Sequence, residues 1–105
     1  MVCIDIETDT LEQSVLEEDK AIIMFSASWC GPCKMIKIIY DELSNNNNNN
    51  NINFYIVDID DRDTFAKKFN IRSVPTFITI KNKQIFNMSK GANIKSLENI
   101  INELK

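Results

Sequence analysis

Residues 21–34, AIIMFSASWCGPCK, decide how this chain is read. The first half, Ala21 to Ala27, is a continuous apolar run of strand length. Such runs suit a central strand covered on both faces. The second half, Trp29-Cys30-Gly31-Pro32-Cys33-Lys34, opens a helix directly after that strand. Two residues between cysteines, at the first turn of a helix, let both sulfurs approach disulfide distance with little strain. Cys30 then sits at the helix N-terminus, where unpaired backbone N–H groups and the positive dipole end favour an anion. That stabilises the Cys30 thiolate and raises its reactive fraction near neutral pH. Cys33, one turn in, is expected to be more sheltered and to stay a thiol until needed. Pro32 suits the first helical positions, where its missing N–H is not required. Gly31 leaves the approach to Cys30 uncluttered.

The chemistry expected of this pair is thiol–disulfide exchange. The Cys30 thiolate attacks a disulfide on a substrate and forms a mixed disulfide; Cys33 then attacks the Cys30 sulfur and releases the reduced substrate. Neither a metal nor an organic cofactor is required. Two plainer readings stand beside this one: a buried structural disulfide, and a pair of metal ligands. A tetrahedral zinc site takes four ligands, and the chain has three Cys and no His. Cys3 is read as a small buried hydrophobe, with a regulatory or dimer-forming thiol as the alternative.

Outward from the motif, strands alternate with helices. Val2 to Ile6 reads as a short strand. Thr10 to Glu18 carries Leu11, Val15 and Leu16 at helical spacing, with Asp9 or Thr8 as cap. Cys33 to Ser44 carries Ile36, Ile39, Tyr40 and Leu43 at the same spacing. Ile52 to Ile59 is β-branched and aromatic, a strand. Asp61 to Phe69 is a helix that Asn70 can end in a left-handed conformation, and Asp60 with Asp61 reads as a capping pair. Thr76 to Ile80 and Ile85 to Met88 are strands joined by the turn Lys81-Asn82-Lys83-Gln84. Ile94 to Leu104 is a helix of period 3.6 capped by Asn93. The acidic run Glu17-Glu18-Asp19 is taken as a solvated helix end, and Asn45 to Asn51 as a solvated surface loop. The order βαβαβαββα predicts an α/β fold, a mixed central sheet flanked by helices on both faces, within one domain spanning 1–105.

Composition removes other chemistries. With no histidine, Ser-His-Asp and Cys-His pairs and histidine-ligated metals are absent. Two glycines, Gly31 and Gly91, cannot build a Gly-rich phosphate loop. A net charge of −3 is not the footprint of a nucleic-acid or anionic-membrane binder. No apolar run approaches the ~20 residues that span a bilayer. The N-terminal residues lack the basic start and apolar stretch of a secretory signal, so the expected compartment is the reducing cytoplasm, where a disulfide is catalytic rather than structural.

WCGPCK at 29–34, Val74-Pro75-Thr76 and Lys90-Gly91-Ala92 together resemble the thioredoxin family, and the resemblance extends over nearly the whole chain. It implies the thioredoxin fold and reduction of disulfides in other proteins. It implies that Pro75 is cis and faces the two cysteines. It implies a substrate surface of Trp29, Gly31, Pro32, Ser73, Val74, Pro75 and Gly91, with an extended substrate segment along Ser73-Val74. It also implies a flavin-containing thioredoxin reductase as electron donor.

The chain departs from the family pattern at several positions. The family's buried aspartate, six residues before the first cysteine, is Met24 here, and the lysine near it is Ile56. The aspartate is thought to help deprotonate the second cysteine, so the expectation is slower attack by Cys33 and longer-lived mixed disulfides. Ile38 stands where the family often has a helix-kinking proline. Ser26 replaces an aromatic, and Lys90 puts a charge on the rim of the binding surface. Met24 and Ile56 support an alternative function, a thioredoxin-like adaptor or complex subunit with weak turnover. A further alternative, an oxidant or isomerase of a secretory compartment, is opposed by the Gly-Pro between the cysteines.

Overall fold

The computed structural model describes residues 3–46 and 51–105. Nine elements follow in the order β1 (Cys3–Asp5), α1 (Asp9–Val15), β2 (Lys20–Ser26), α2 (Gly31–Asn45), β3 (Asn53–Asp58), α3 (Asp63–Lys68), β4 (Thr76–Lys81), β5 (Gln84–Lys90) and α4 (Ile94–Leu104). The sheet order is β1-β3-β2-β4-β5. The first three strands are mutually parallel, and β4 and β5 add antiparallel pairs, so the sheet is mixed as expected.

The apolar run of β2 lies at the centre of this sheet and is buried from Ala21 to Phe25. Because strand side chains alternate, Ile22 and Met24 pack on one face with α2 and α4. Ala21, Ile23 and Phe25 pack on the other with α1 and α3. Phe25 meets Phe65 and Phe69 at ring-centroid distances of 6.2 and 5.3 Å. On the α2 face the Tyr40 hydroxyl lies 3.1 Å from the Ile22 carbonyl and 2.7 Å from the Tyr55 carbonyl. Its one proton thus ties α2 to both central strands.

Local signals place most element ends. The α4 helix spans the residues its apolar period predicts, and the Asn93 side chain accepts from Ser96 N–H at 2.9 Å. Asn82 and Lys83 have φ of 54° and 66°, the left-handed pair of a two-residue hairpin turn. Asn70 is left-handed after α3, with φ of 59°.

Other ends differ from expectation. The α1 helix stops at Val15, short of Glu18. The carbonyls of Glu18 and Asp19 are taken by the hairpin turn instead, from Lys83 N–H at 3.0 Å and Asn82 N–H at 2.8 Å. Glu18 is not a solvated end: its carboxylate accepts from Tyr55 Oη–H and Asn53 Nδ2. Asp60 and Asp61 are not a capping pair either. Asp58 Oδ1 accepts from Asp60 N–H at 2.8 Å and Asp61 N–H at 3.3 Å, and α3 begins only at Asp63. The α2 helix is continuous through the exposed Ile38. Of the asparagine tract, Asn45 ends α2 and Asn51 has φ of 55°. Residues 47–50, on which the surface-loop reading rests, lie outside the described residues, as does Val2.

Candidate active site

The β2 strand delivers its C-terminal end to the cysteine motif, and α2 starts two residues after Trp29. Cys30 is the N-cap of α2, with extended backbone (φ −91°, ψ 106°). Its sulfur accepts from Cys33 N–H at 3.2 Å, so the orphan donor at the helix start is aimed at sulfur. The two cysteines form a disulfide with Cα atoms 5.3 Å apart, within the usual range for an unstrained bridge. Cys30 is 4% exposed and Cys33 1%. The expected order of shelter is kept, but the gap is small. Pro32 occupies the first helical turn and is exposed, as is Gly31. A Cβ built on Gly31 would meet nothing within 4 Å, so the space around this residue is open.

A second segment comes from the start of β4. The Val74–Pro75 peptide is cis, and the Val74 carbonyl oxygen lies 3.7 Å from Cys30 Sγ. Pro75 is buried and Val74 half-buried, while Ser73 is exposed, its carbonyl accepting from Thr76 Oγ1 at 2.8 Å. Gly91 follows β5 with φ of +86°, a conformation glycine adopts without Cβ strain. Its N–H donates to the Pro75 carbonyl at 2.8 Å. The fold thus brings Cys30, Cys33, Val74, Pro75 and Gly91 into one connected cluster, from three separate stretches of chain.

Trp29 flanks this cluster and is 67% exposed. Its indole Nε1–H donates to Asp60 Oδ2 at 2.9 Å. Sequence reasoning missed this partner. The available signal was the Asp58-Ile59-Asp60-Asp61 pattern, in which the first carboxylate organises the turn and leaves the next to point outward. Met24 is fully buried, and with half-buried Ile56 it joins the apolar cluster that holds Cys33. Cys3 is buried in that cluster too and lies outside the disulfide. Burial pushes its thiol up to about 12, helped by the negative charge of Asp41 and opposed by Lys37.

No helix among the described residues is long and apolar enough to cross a membrane. The sequence model of the family described as Thioredoxin matches residues 2–104. The human thioredoxin is 41% identical over 102 residues, covering 94% of this chain and 95% of the human one. Thioredoxin of Malassezia sympodialis has a solved structure that superposes with a TM-score of 0.89 at 33% identity, covering 98% of this chain and 90% of that one. The reduced thioredoxin pre-protein of Schistosoma mansoni superposes with a TM-score of 0.88 at 34% identity and full coverage of both chains. With a helix-capping cysteine pair on this sheet, and with these matches over nearly its whole length, the chain belongs to the thioredoxin family and is a thiol–disulfide oxidoreductase.

Proposed function

We propose that this protein reduces disulfides in other proteins, with Cys30 as the attacking thiolate and Cys33 as the resolving thiol. The observation that carries this reading is the position of Cys30 as N-cap, its sulfur accepting a backbone N–H from the first turn of α2. A donor aimed at sulfur stabilises the thiolate, the form that attacks. In the first step Cys30 S⁻ bonds to one sulfur of the substrate disulfide, and the other leaves as thiolate and takes a proton. In the second, Cys33 loses its proton and attacks Cys30 Sγ; the Cys30–Cys33 bond forms and the second substrate sulfur leaves. Two electrons pass to the substrate, and the chain ends in the disulfide form.

The surface proposed to take the substrate is Trp29, Gly31, Pro32, Ser73, Val74, Pro75 and Gly91. Support comes from the exposed Trp29, next to Cys30 in the chain, and from the backbone of Val74. Among the described residues the Val74 N–H has no hydrogen-bond partner, so an extended segment can pair there. The proposed domain spans 1–105. A thioredoxin reductase is the proposed electron donor and the cytoplasm the proposed compartment, since dithiols are kept reduced there.

The test is insulin disulfide reduction with dithiothreitol as electron source, wild type beside Cys30→Ser. The expected result is a wild-type rate well above background that the substitution abolishes. A wild-type rate no better than the variant would favour the second reading, a partner-holding adaptor. The specific observation on that side is Met24, an apolar side chain in the cluster around Cys33 that cannot act as a base.

A further inference from the structure

The charges of this chain are unevenly distributed over its elements. All 15 acidic side chains lie outside residues 64–97, a stretch that holds Lys67, Lys68, Arg72, Lys81, Lys83, Lys90 and Lys95. That stretch builds α3 from Thr64 on, the segment leading into Pro75, then β4, β5 and the first turn of α4. Seven acids gather toward the β1 side of the sheet, Asp5 on β1, Asp9 and Glu12 on α1, Asp58 at the end of β3 and Asp60, Asp61 and Asp63 after it, whereas Glu98 and Glu103 lie farther along α4. The candidate active site sits on the boundary. Trp29 is bonded to Asp60 on the acidic side, and Gly91 to Pro75 on the basic side.

Three cations line the basic rim. Arg72 stands two residues ahead of Val74. Lys90 is the register partner of Thr76 and directly precedes Gly91. Lys95 lies in the first turn of α4, where the helix dipole disfavours a cation and no acidic residue shares the turn. All three are exposed, and among the described residues none has an ion-pair partner. Local stability therefore gives no account of them.

We propose that the Arg72–Lys90–Lys95 rim is a docking surface for disulfide proteins that carry acidic residues beside the reacting cysteine. The proposal rests on the reductase reading and names its substrate class. Neighbouring strands lie about 5 Å apart with about 3.3 Å between residues, so a segment paired along Val74 has its cysteine-flanking side chains within lysine reach of this rim. A second copy of this chain, offering its acidic edge, is the rival occupant. It brings no reactive sulfur, because Cys3 on that edge is buried. Exposed charges of this kind act on the encounter rate and lose effect in salt.

The experiment uses the reduced full chain and two disulfide-bonded peptides that differ only in the residues flanking the target cysteine, Glu in one and Lys in the other. An uncharged disulfide, 2-hydroxyethyl disulfide, runs in parallel. Second-order rate constants are measured at about 20 mM and about 500 mM salt, either side of effective screening. The expected result is a Glu peptide about tenfold faster than the Lys peptide at low salt, narrowing to about twofold at high salt. In Arg72→Glu/Lys90→Glu/Lys95→Glu the order inverts. Equal peptide rates at low salt, with the uncharged disulfide reduced, overturn the proposal and leave the reductase reading standing. Equal rates with salt-sensitive self-association in sedimentation assign the rim to a second copy instead. No reduction of the uncharged disulfide overturns the reductase reading and the proposal with it.

Discussion

Met24 and Ile56 are register partners on the adjacent parallel strands β2 and β3. The two positions where the family resemblance leads one to expect an aspartate and a lysine are therefore neighbours in this sheet, and both are apolar. That pairing has a physical reason. A lone buried charge is costly, whereas replacing a whole buried pair by apolar side chains is often neutral or stabilising. Met24 is fully buried and Ile56 half-buried, so a carboxylate at 24 would be dry and an ammonium at 56 could reach water.

Met24→Asp alone is expected to destabilise the protein by about 3–5 kcal/mol, and Met24→Asp/Ile56→Lys by clearly less. Urea denaturation of the two variants checks the order. The double variant is also expected to speed decay of the mixed disulfide by about tenfold or more, since general-base help is typically worth about 10²–10⁴. An unchanged decay rate would mean that Met24 does not limit resolution.

Cys33→Ser removes the resolving sulfur and keeps the capped Cys30. The expected outcome is a stable mixed disulfide at Cys30 with protein substrates, visible as a band on non-reducing gels that dithiothreitol removes. The same band is expected transiently in wild type, because the described side chains clustered with Cys33 include the apolar Met24 and Ile56 in place of a charged pair. If Cys33→Ser captures no substrate, Cys30 is not the nucleophile.

Gly91→Ala separates backbone conformation from crowding. A Cβ there meets nothing within 4 Å, but the residue has φ of +86°. The cost is expected to be about 1–2 kcal/mol from strain alone, lowering Tm by several degrees. Reductase activity is expected to fall with it, because Gly91 N–H holds the Pro75 carbonyl. An unchanged Tm would show that the loop relaxes out of this conformation.

The Cys3 thiol gives the fold an alkaline sensitivity. Its pKa is raised from 9.0 to about 12, chiefly by burial. Between those values the unfolded thiol has lost its proton and the folded one keeps it. The native state then binds more protons, so stability falls as pH rises from about 9. Below 9 this contribution is fully present. Cys3→Ala is expected to be less stable at neutral pH and to lose stability less steeply between about pH 9 and 10. Tyr40 and Tyr55 are also pushed up by burial, so both proteins decline at higher pH. Parallel wild-type and variant slopes would contradict the burial of Cys3.

What local chemistry controls was legible in the sequence. The α4 helix was read to the residue because its period-3.6 stripe and its Asn93 cap lie within the helix itself. The cysteine pair was legible for the same reason: cap, proline and sulfur spacing all sit in one turn. The α/β class followed from the apolar run of β2 and the alternation around it. Tertiary structure decided what depends on distant partners. It ended α1 at Val15 and gave the carbonyls of Glu18 and Asp19 to a hairpin turn some sixty residues away. It gave Asp60 to Trp29 rather than to a helix cap. It set the Val74 carbonyl beside Cys30 and joined Pro75 to Gly91. A hydrogen bond satisfies whichever donor the fold brings within about 3 Å, and that proximity comes from the packing of the sheet, not from neighbours along the chain.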